Sequence, residues 1–412
     1  MKIESKEQII NYFISGNKNE QLIGVENEKF LFKTNSNKRA EYSDLLKIFT
    51  IFIDRFDWQP IKEDNNIIGL KKNGKAITLE PGNQIELSGE KLTNIHEVCA
   101  ESYEFQDKLN LASKEVNLKT LSVGYDPFSN LDNIPNNPKK RYRVMTKEMP
   151  RNGKLSLDMM YLTAGTQINI DYKSEDDFKK KFKVISYLTP LSIGLFSNSA
   201  IKENKFSGFL SYRSKVWQNT SRGGLPEIFL NNISFEMYAD FILNFPLLFL
   251  KKKNEYLFPE GKTYSDLIEE GLADEKNLEL HLSTIFTEVR LKKYIEIRSL
   301  DACEWNCHCA GPAFFVGLLY GNIDEVYQIV KDWNKNEIMN AYFESPKKGL
   351  QTEIKGKSFL EWGKIFLDIS KESLLNRNFK NKNNNDESIF LKNIEQIIKE
   401  RKTKAEKTLE QC

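Results

Sequence analysis

The feature that most constrains this chain is a set of short segments that alternate apolar and polar residues, with carboxylates on the polar side. In a strand, residues i and i+2 share a face. In "LIGVENEKF" that puts Glu26 and Glu28 together. In "ITLEPGNQIELSG" Thr78 and Glu80 oppose Ile77 and Leu79. After the Pro81-Gly82 break, Gln84, Glu86 and Ser88 oppose Ile85 and Leu87. In "GTQINIDY" Gln167, Asn169 and Asp171 oppose Ile168 and Ile170, and in "KYIEIRSLD" Glu296 and Arg298 oppose Ile295 and Ile297. Carboxylates with apolar neighbours are costly unless they are paired or hold a cation. Several of them converging on one sheet face would repel each other. Hard oxygen ligands select Mg²⁺ or Mn²⁺, and Mg²⁺ normally brings nucleotide phosphates. A solvated sheet face with unremarkable charges accounts for the same alternation, so the pattern alone leaves both readings open.

The rest of the chain places these segments. Helices are expected over 1–20, 41–58, 90–115, 174–198, 232–251, 263–271, 312–333, 358–376 and 388–411. Strands are expected over 23–33, within 64–89 with turns at Asn73-Gly74 and Pro81-Gly82, over 159–172, and within 287–299. Residues 125–156, with Pro127, Pro135, Pro138, Pro150 and Gly153, read as a loop-rich lid. "NRNFKNKNNNDES" (376–388) reads as an exposed linker. Helices and hairpins without strict βαβ alternation indicate an α+β fold with a mainly antiparallel sheet. One domain over 1–375 is expected, with the 376–412 linker and helix flanking it.

Lys+Arg is 60 and Asp+Glu 58, a net charge of +2, so the chain as a whole is no nucleic-acid polyelectrolyte. No apolar run reaches a membrane span. The charged start "MKIESKEQIINYFISG" lacks a signal peptide's apolar stretch, so a soluble, cytoplasmic protein is expected, with neither nucleic acid nor membrane as partner. Cys99, Cys303, Cys307, Cys309 and Cys412 make an odd count. "DACEWNCHCAG" has no usual zinc spacing, so ordinary thiols are the default and a metal site the alternative. Arg141, Arg143, Arg213, Arg222, Arg290 and Arg298 could hold a carboxylate or phosphate. No Walker loop, no G-x-G-x-x-G after a strand and no G-x-S-x-G elbow occurs, and three histidines do not favour histidine-based catalysis.

"GVENEKF", "ITLEPGNQIELSG", "RYRVM…MP…LDMM", "TQINIDY", "LFSNSAIKENKFSGFLSYRSKVW", "HLSTIFTEVRLKKYIEIRS" and "PAFFVGLLYG" stand in an order and spacing that resembles the plant-type and proteobacterial glutamate–cysteine ligases, from about residue 20 to about 335. The resemblance implies a glutamine-synthetase-like carboxylate–amine ligase fold, in which an antiparallel sheet floors a cavity and helices pack outside. It implies ATP-dependent joining of L-cysteine to the γ-carboxyl of L-glutamate through γ-glutamyl phosphate, the first step of glutathione biosynthesis. ATP would be co-substrate and Mg²⁺ or Mn²⁺ the metal, with small-molecule partners only and a monomer or homodimer. Matched by position, Glu26, Glu28, Glu80, Glu86 and Glu296 fall on metal and ATP-site carboxylates. Arg141 and Arg213 fall on glutamate-binding arginines, with Gln167 and Asn169 in the matching floor strand. Arg290 and Arg298 would serve phosphate or nucleotide as catalytic groups. Cys99 and Cys309 fall on a regulatory disulfide, and the family's second disulfide has no counterpart cysteines. The chain departs from the family at Leu162, where an arginine is usual, and at Asn306 and Cys307, where two more arginines are lost. Those departures motivate a second reading, a related ligase using a different amine. A third, a binding-only relative, is disfavoured because every matched glutamate is present.

Overall fold

The computed structural model describes residues 1–135, 137–253 and 255–411. Asn136 of the expected lid and Cys412 therefore lie outside the described residues. The centre is an antiparallel sheet, nine-stranded among the described residues. Its strands are β1 (Ile23–Lys33), β2 (Gln59–Glu63), β3 (Asn66–Lys72), β4 (Lys75–Leu79), β5 (Ile85–Ser88), β6 (Leu118–Leu121), β7 (Gly165–Ile170), β8 (Val289–Leu291) and β9 (Ile295–Asp301). They run in the order β8-β9-β7-β1-β5-β4-β3-β2, with β6 also paired to β1.

The apolar faces carry the packing. Ile168, Ile170, Ile295 and Ile297 are buried in one cluster with Phe182, Leu188 and Leu191 of the Glu175–Leu195 helix. Leu31, Ile77, Leu79, Ile85 and Leu87 form a second cluster with Leu45, Ile48 and Phe52 of the Tyr42–Phe56 helix. Each such aliphatic side chain contributes about 1.5–3 kcal/mol when fully buried. That burial fixes the register, because a slip of one residue would turn every carboxylate into the core.

The helix starts follow capping chemistry. Asn94 accepts from the Glu97 N–H and Ser174 from the Asp177 N–H. Several expectations are corrected. The 159–172 strand is only Gly165–Ile170, and Ser156–Leu162 is helical. That helix is apolar almost all round and buried, so it shows no period to read. The expected lid holds the Lys140–Glu148 helix, with Tyr142, Met145 and Glu148 buried at a spacing of three. Lys139 Nζ and Tyr142 Oη both donate to the Leu79 carbonyl, at 2.7 and 3.0 Å, and fasten this helix to the sheet. The expected linker is also fastened: Glu387 is fully buried, accepting from Arg377 Nε at 2.9 Å and from the Ile95 N–H at 2.7 Å. The 388–411 helix is broken at Arg401, which has positive φ, into Lys392–Glu400 and a Thr403-capped Lys404–Leu409. The Lys335–Lys348 helix had no counterpart among the sequence expectations.

The thiol default and the zinc alternative are overturned for four of the cysteines, and the Cys99–Cys309 pairing that the resemblance implies is present. Cys99 is bonded to Cys309 and Cys303 to Cys307, each with Cα atoms 5.8 Å apart, so these sulfurs are neither free thiols nor zinc ligands. No helix among the described residues is long and apolar enough to cross a membrane.

Candidate active site

The register assembles the polar faces. Glu28 pairs with Glu86 and Glu26 with Ser88 across β1 and β5. Glu26 faces Gln167 across β1 and β7, and Asn169 faces Glu296 across β7 and β9. Glu80 arrives by the turn: its N–H donates to the Gln84 carbonyl at 2.8 Å, and Asn83, at φ 61°, supplies the left-handed residue. Gly82 has a different task. A Cβ there would lie 2.5 Å from the Tyr161 carbonyl, so glycine lets the Ser156–Leu162 helix close on the turn. Gln84 seals that contact, donating to the Met160 and Thr163 carbonyls at 3.2 and 2.9 Å.

The result is a cavity of about 180 Å³ lined by Glu26, Glu28, Glu80, Glu86, Arg141, Gln167, Arg290 and Arg298, with Tyr142, Met145, Phe249, Ser283, Thr284 and Phe286 closing it. Of the sequence candidates, these eight come together on its wall. Asn169 stands behind them, donating to Glu26 Oε1 at 3.2 Å with its own Oδ1 unpartnered. Arg213 lies buried beneath, donating to the Arg298 carbonyl at 2.8 Å, with Nε and Nη1 unpartnered. Arg222 is elsewhere: it clamps the 283–286 loop through Thr284 and Pro246 and stacks on Phe245. A larger cavity of about 500 Å³, between Leu121, Phe128, Ile201, Phe206 and Leu409, is mostly apolar and gathers no such set.

The electrostatics divide the glutamates. Burial, then Glu26, Glu80 and Glu28, pushes the Glu86 carboxyl well above its ordinary range. Burial and Glu80 raise Glu28 to about 7, against the pull of Arg213 and the Gly165 N–H, which donates to Oε2 at 2.6 Å. Glu296 goes the other way. Arg290 and Lys292, the latter at 2.8 Å, take its two oxygens and hold it below its ordinary range even though it is fully buried. Glu296 is thus already neutralised by protein cations, unlike the other four.

Glu26, Glu28, Glu80 and Glu86 suit a hard cation, being oxygen donors in mutual repulsion, and Asn169 Oδ1 is a further oxygen without a partner. No three of the described Asp, Glu, His and Cys residues are gathered into a ready coordination shell.

Sequence reasoning assigned no role to Tyr142, Met145 and Phe249 on the wall. Ser283, Thr284, Phe286 and Glu288 were within the quoted "HLSTIFTEVR" motif. Phe249 carried no signal beyond an apolar run.

The model of glutamate–cysteine ligase family 2 matches residues 22–411. The chain is 36% identical to the chloroplastic glutamate–cysteine ligase of Solanum lycopersicum, over 98% of this chain and 79% of that one. It is 35% identical to the chloroplastic glutamate–cysteine ligase B of Oryza sativa subsp. japonica, over 98% and 83%. The structure is similar to that of glutamate–cysteine ligase from Francisella tularensis in complex with AMP, at a TM-score of 0.57 and 13% identity, covering 96% of this chain and 85% of that one. The chain belongs to glutamate–cysteine ligase family 2 and has the carboxylate–amine ligase fold. The expected cytoplasmic location is corrected: the similar plant enzymes are named as chloroplastic.

Proposed function

We propose that this family member catalyses ATP + L-glutamate + L-cysteine → γ-glutamylcysteine + ADP + phosphate. The observation that carries the reading is the cavity in which four glutamates meet Arg141, Arg290 and Arg298 on one sheet face. The γ-carboxylate of glutamate attacks the γ-phosphorus of ATP and ADP leaves, giving an acyl phosphate. The cysteine amine then attacks the acyl carbon, phosphate leaves, and the ammonium proton is lost to water or phosphate. Arg141 and Arg213, with Gln167 and Asn169, are assigned to the glutamate substrate, and Arg290 and Arg298 to the transferring phosphoryl group, where fixed cations oppose developing charge.

Glu26, Glu28, Glu80 and Glu86 would hold Mg²⁺ or Mn²⁺, which when bound screens the repulsion between carboxylate and triphosphate and polarises the phosphoryl group. Glu296 would join that set only by giving up Lys292. Residues 1–375 would act as one catalytic domain with 376–412 packed on it, as a monomer or homodimer with small-molecule partners. Buried Ile394 and Ile397 support that packing.

The test is ATP hydrolysis coupled to glutamate and a panel of amines, with products identified by mass. Cysteine-dependent formation of γ-glutamylcysteine is expected. Turnover with another amine and not with cysteine favours the second reading, a related ligase with a different acceptor. The buried Leu162, beside Met159 and Tyr161 in the cluster that also holds Met145 and Phe249, is the observation behind that reading. Cys99–Cys309 would be a redox element, its two ends 210 residues apart in sequence. Dithiothreitol should change the rate of the wild type and leave Cys99→Ser unresponsive; equal responses would dismiss the redox role.

A further inference from the structure

Of the three arginines on the cavity wall, Arg141 is held unlike the other two. Arg290 donates to Glu296 and to the Ser283 and Ile285 carbonyls, and Arg298 donates to Gln167. Both are fastened by the sheet and the loop beside it. Arg141 comes from the Lys140–Glu148 helix, outside the sheet. Its one hydrogen bond among the described residues runs from Nη2 to Tyr142 Oη, at 3.1 Å, and its Nε is buried without a partner. The ring of the same tyrosine lies against the guanidinium, with its centroid 4.9 Å from Cζ, within the range of a cation–π contact.

Tyr142 is itself anchored. It is buried, and its hydroxyl donates to the carbonyl of Leu79, the last residue of β4, at 3.0 Å. Glu80 Oε1 is farther off, at 3.4 Å. A phenol has one proton to give, and the nearer carbonyl takes it, so the Glu80 carboxylate stays free to face the cavity. The chain around Tyr142 is pinned to the same segment. Lys139 Nζ donates to the Leu79 carbonyl at 2.7 Å, and Asn137 Nδ2 to the Glu80 carbonyl at 2.6 Å. A line of contacts therefore runs from the sheet through Leu79 and Tyr142 to Arg141.

We propose that Tyr142 is a positioning residue: its ring and hydroxyl hold Arg141 in the orientation in which the guanidinium meets a carboxylate of the glutamate substrate. The inference rests on the ligase reading above, which assigns Arg141 to glutamate. A free arginine loses rotamer freedom when it takes up a carboxylate, whereas one already held loses less. The neutral phenol suits the task. It accepts one N–H without cancelling the positive charge, which a carboxylate in its place would do, as Glu296 does for Arg290. The charge of Arg141 is left for the substrate.

The test is a double-mutant cycle of wild type, Tyr142→Phe, Arg141→Met and the double variant, assayed with glutamate, ATP and Mg²⁺ varied in turn. Phenylalanine keeps the ring, and Lys139 still satisfies the Leu79 carbonyl, so Tyr142→Phe should fold. Its KM for glutamate should rise about 10-fold, the scale of one hydrogen bond to a charged group. Its kcat, KM for ATP and half-saturating Mg²⁺ should stay within about 2-fold of wild type. In the Arg141→Met background the same change should move kcat/KM for glutamate by less than about 2-fold, because a residue that acts through Arg141 then has nothing to act through. Equal losses in both backgrounds overturn the proposal. So does a loss confined to kcat or to Mg²⁺ affinity, which would place Tyr142 with Glu80 instead. Should Tyr142→Phe misfold, 3-fluorotyrosine in place of Tyr142 decides. It keeps the shape and weakens the hydroxyl as an acceptor, so KM for glutamate should rise with kcat retained, and an unmoved KM overturns the role. A wild type without glutamate-dependent ATP turnover removes the ligase reading and this role together, whereas additive losses in an active ligase remove this role alone.

Discussion

Glu86 on β5 and Glu296 on β9 are both buried glutamates on the polar side of the same sheet, with β1 and β7 between them, yet they are neutralised in opposite ways. Glu86 accepts only from Ser88 Oγ at 2.9 Å and Thr78 Oγ1 at 3.3 Å, and three other glutamates raise it further. Glu296 has a cation on each oxygen. The difference teaches where the sheet is finished and where it waits. Around Glu296 the protein supplies its own counter-charge and gains rigidity. Around Glu86 it leaves like charges opposed, an arrangement that costs stability and is relieved by a cation from outside.

The sharpest way to break this comparison is to neutralise each member. Glu86→Gln keeps acceptors for Ser88 and Thr78 and removes one repelling charge. It should leave melting temperature at pH 8 unchanged or higher while lowering Mg²⁺-ATP turnover by about 10²–10³-fold, the usual cost of removing one electrostatic group from a transition state. A near-wild-type rate would take Glu86 out of the metal set. Glu296→Gln should do the reverse in stability. It strips a buried partner from Arg290 and Lys292, and should cost about 3 kcal/mol in chemical denaturation, as broken buried pairs do. A loss below about 1 kcal/mol, the scale of exposed pairs, would mean the pairing is incidental.

How much of this was legible beforehand follows from the same physics. Period-two alternation depends only on the backbone, so it put Glu26, Glu28, Glu86, Gln167 and Asn169 on one face, and the observed registers agree. Alternation carries no information on who neutralises whom. Arg290 and Glu296 sit opposite each other across β8 and β9, a pairing fixed by a three-residue turn at 292–294 rather than by either strand's pattern. Residues 159–162, expected as the start of a strand, belong to the Ser156–Leu162 helix, because a segment buried on all sides shows no period. Glu288 carries no signal in the sequence because its hydrogen-bond partner, Tyr342, comes from the Lys335–Lys348 helix, far away in the chain.

The smallest expected effect tests the unfinished region in the absence of any substrate. Glu28 is raised from 4.5 to about 7 by burial and by Glu80. A carboxyl raised on folding binds its proton more tightly in the native state, so between about pH 4.5 and 7 stability falls as pH rises. Glu28→Gln loses a hydrogen bond to Gly165 or Gln167, which lowers the melting temperature by a pH-independent amount. What matters is the slope: wild type should lose about 2 kcal/mol more than Glu28→Gln between pH 5 and 7.5. Because a divalent cation binds the ionised carboxylates, 10-fold excess Mg²⁺ over its Kd should restore about 1.4 kcal/mol to the wild type at pH 7.5. It should restore less to Glu28→Gln. Parallel pH slopes with and without Mg²⁺ would show that these carboxylates are as settled as Glu296, and the contrast drawn between the two regions would collapse.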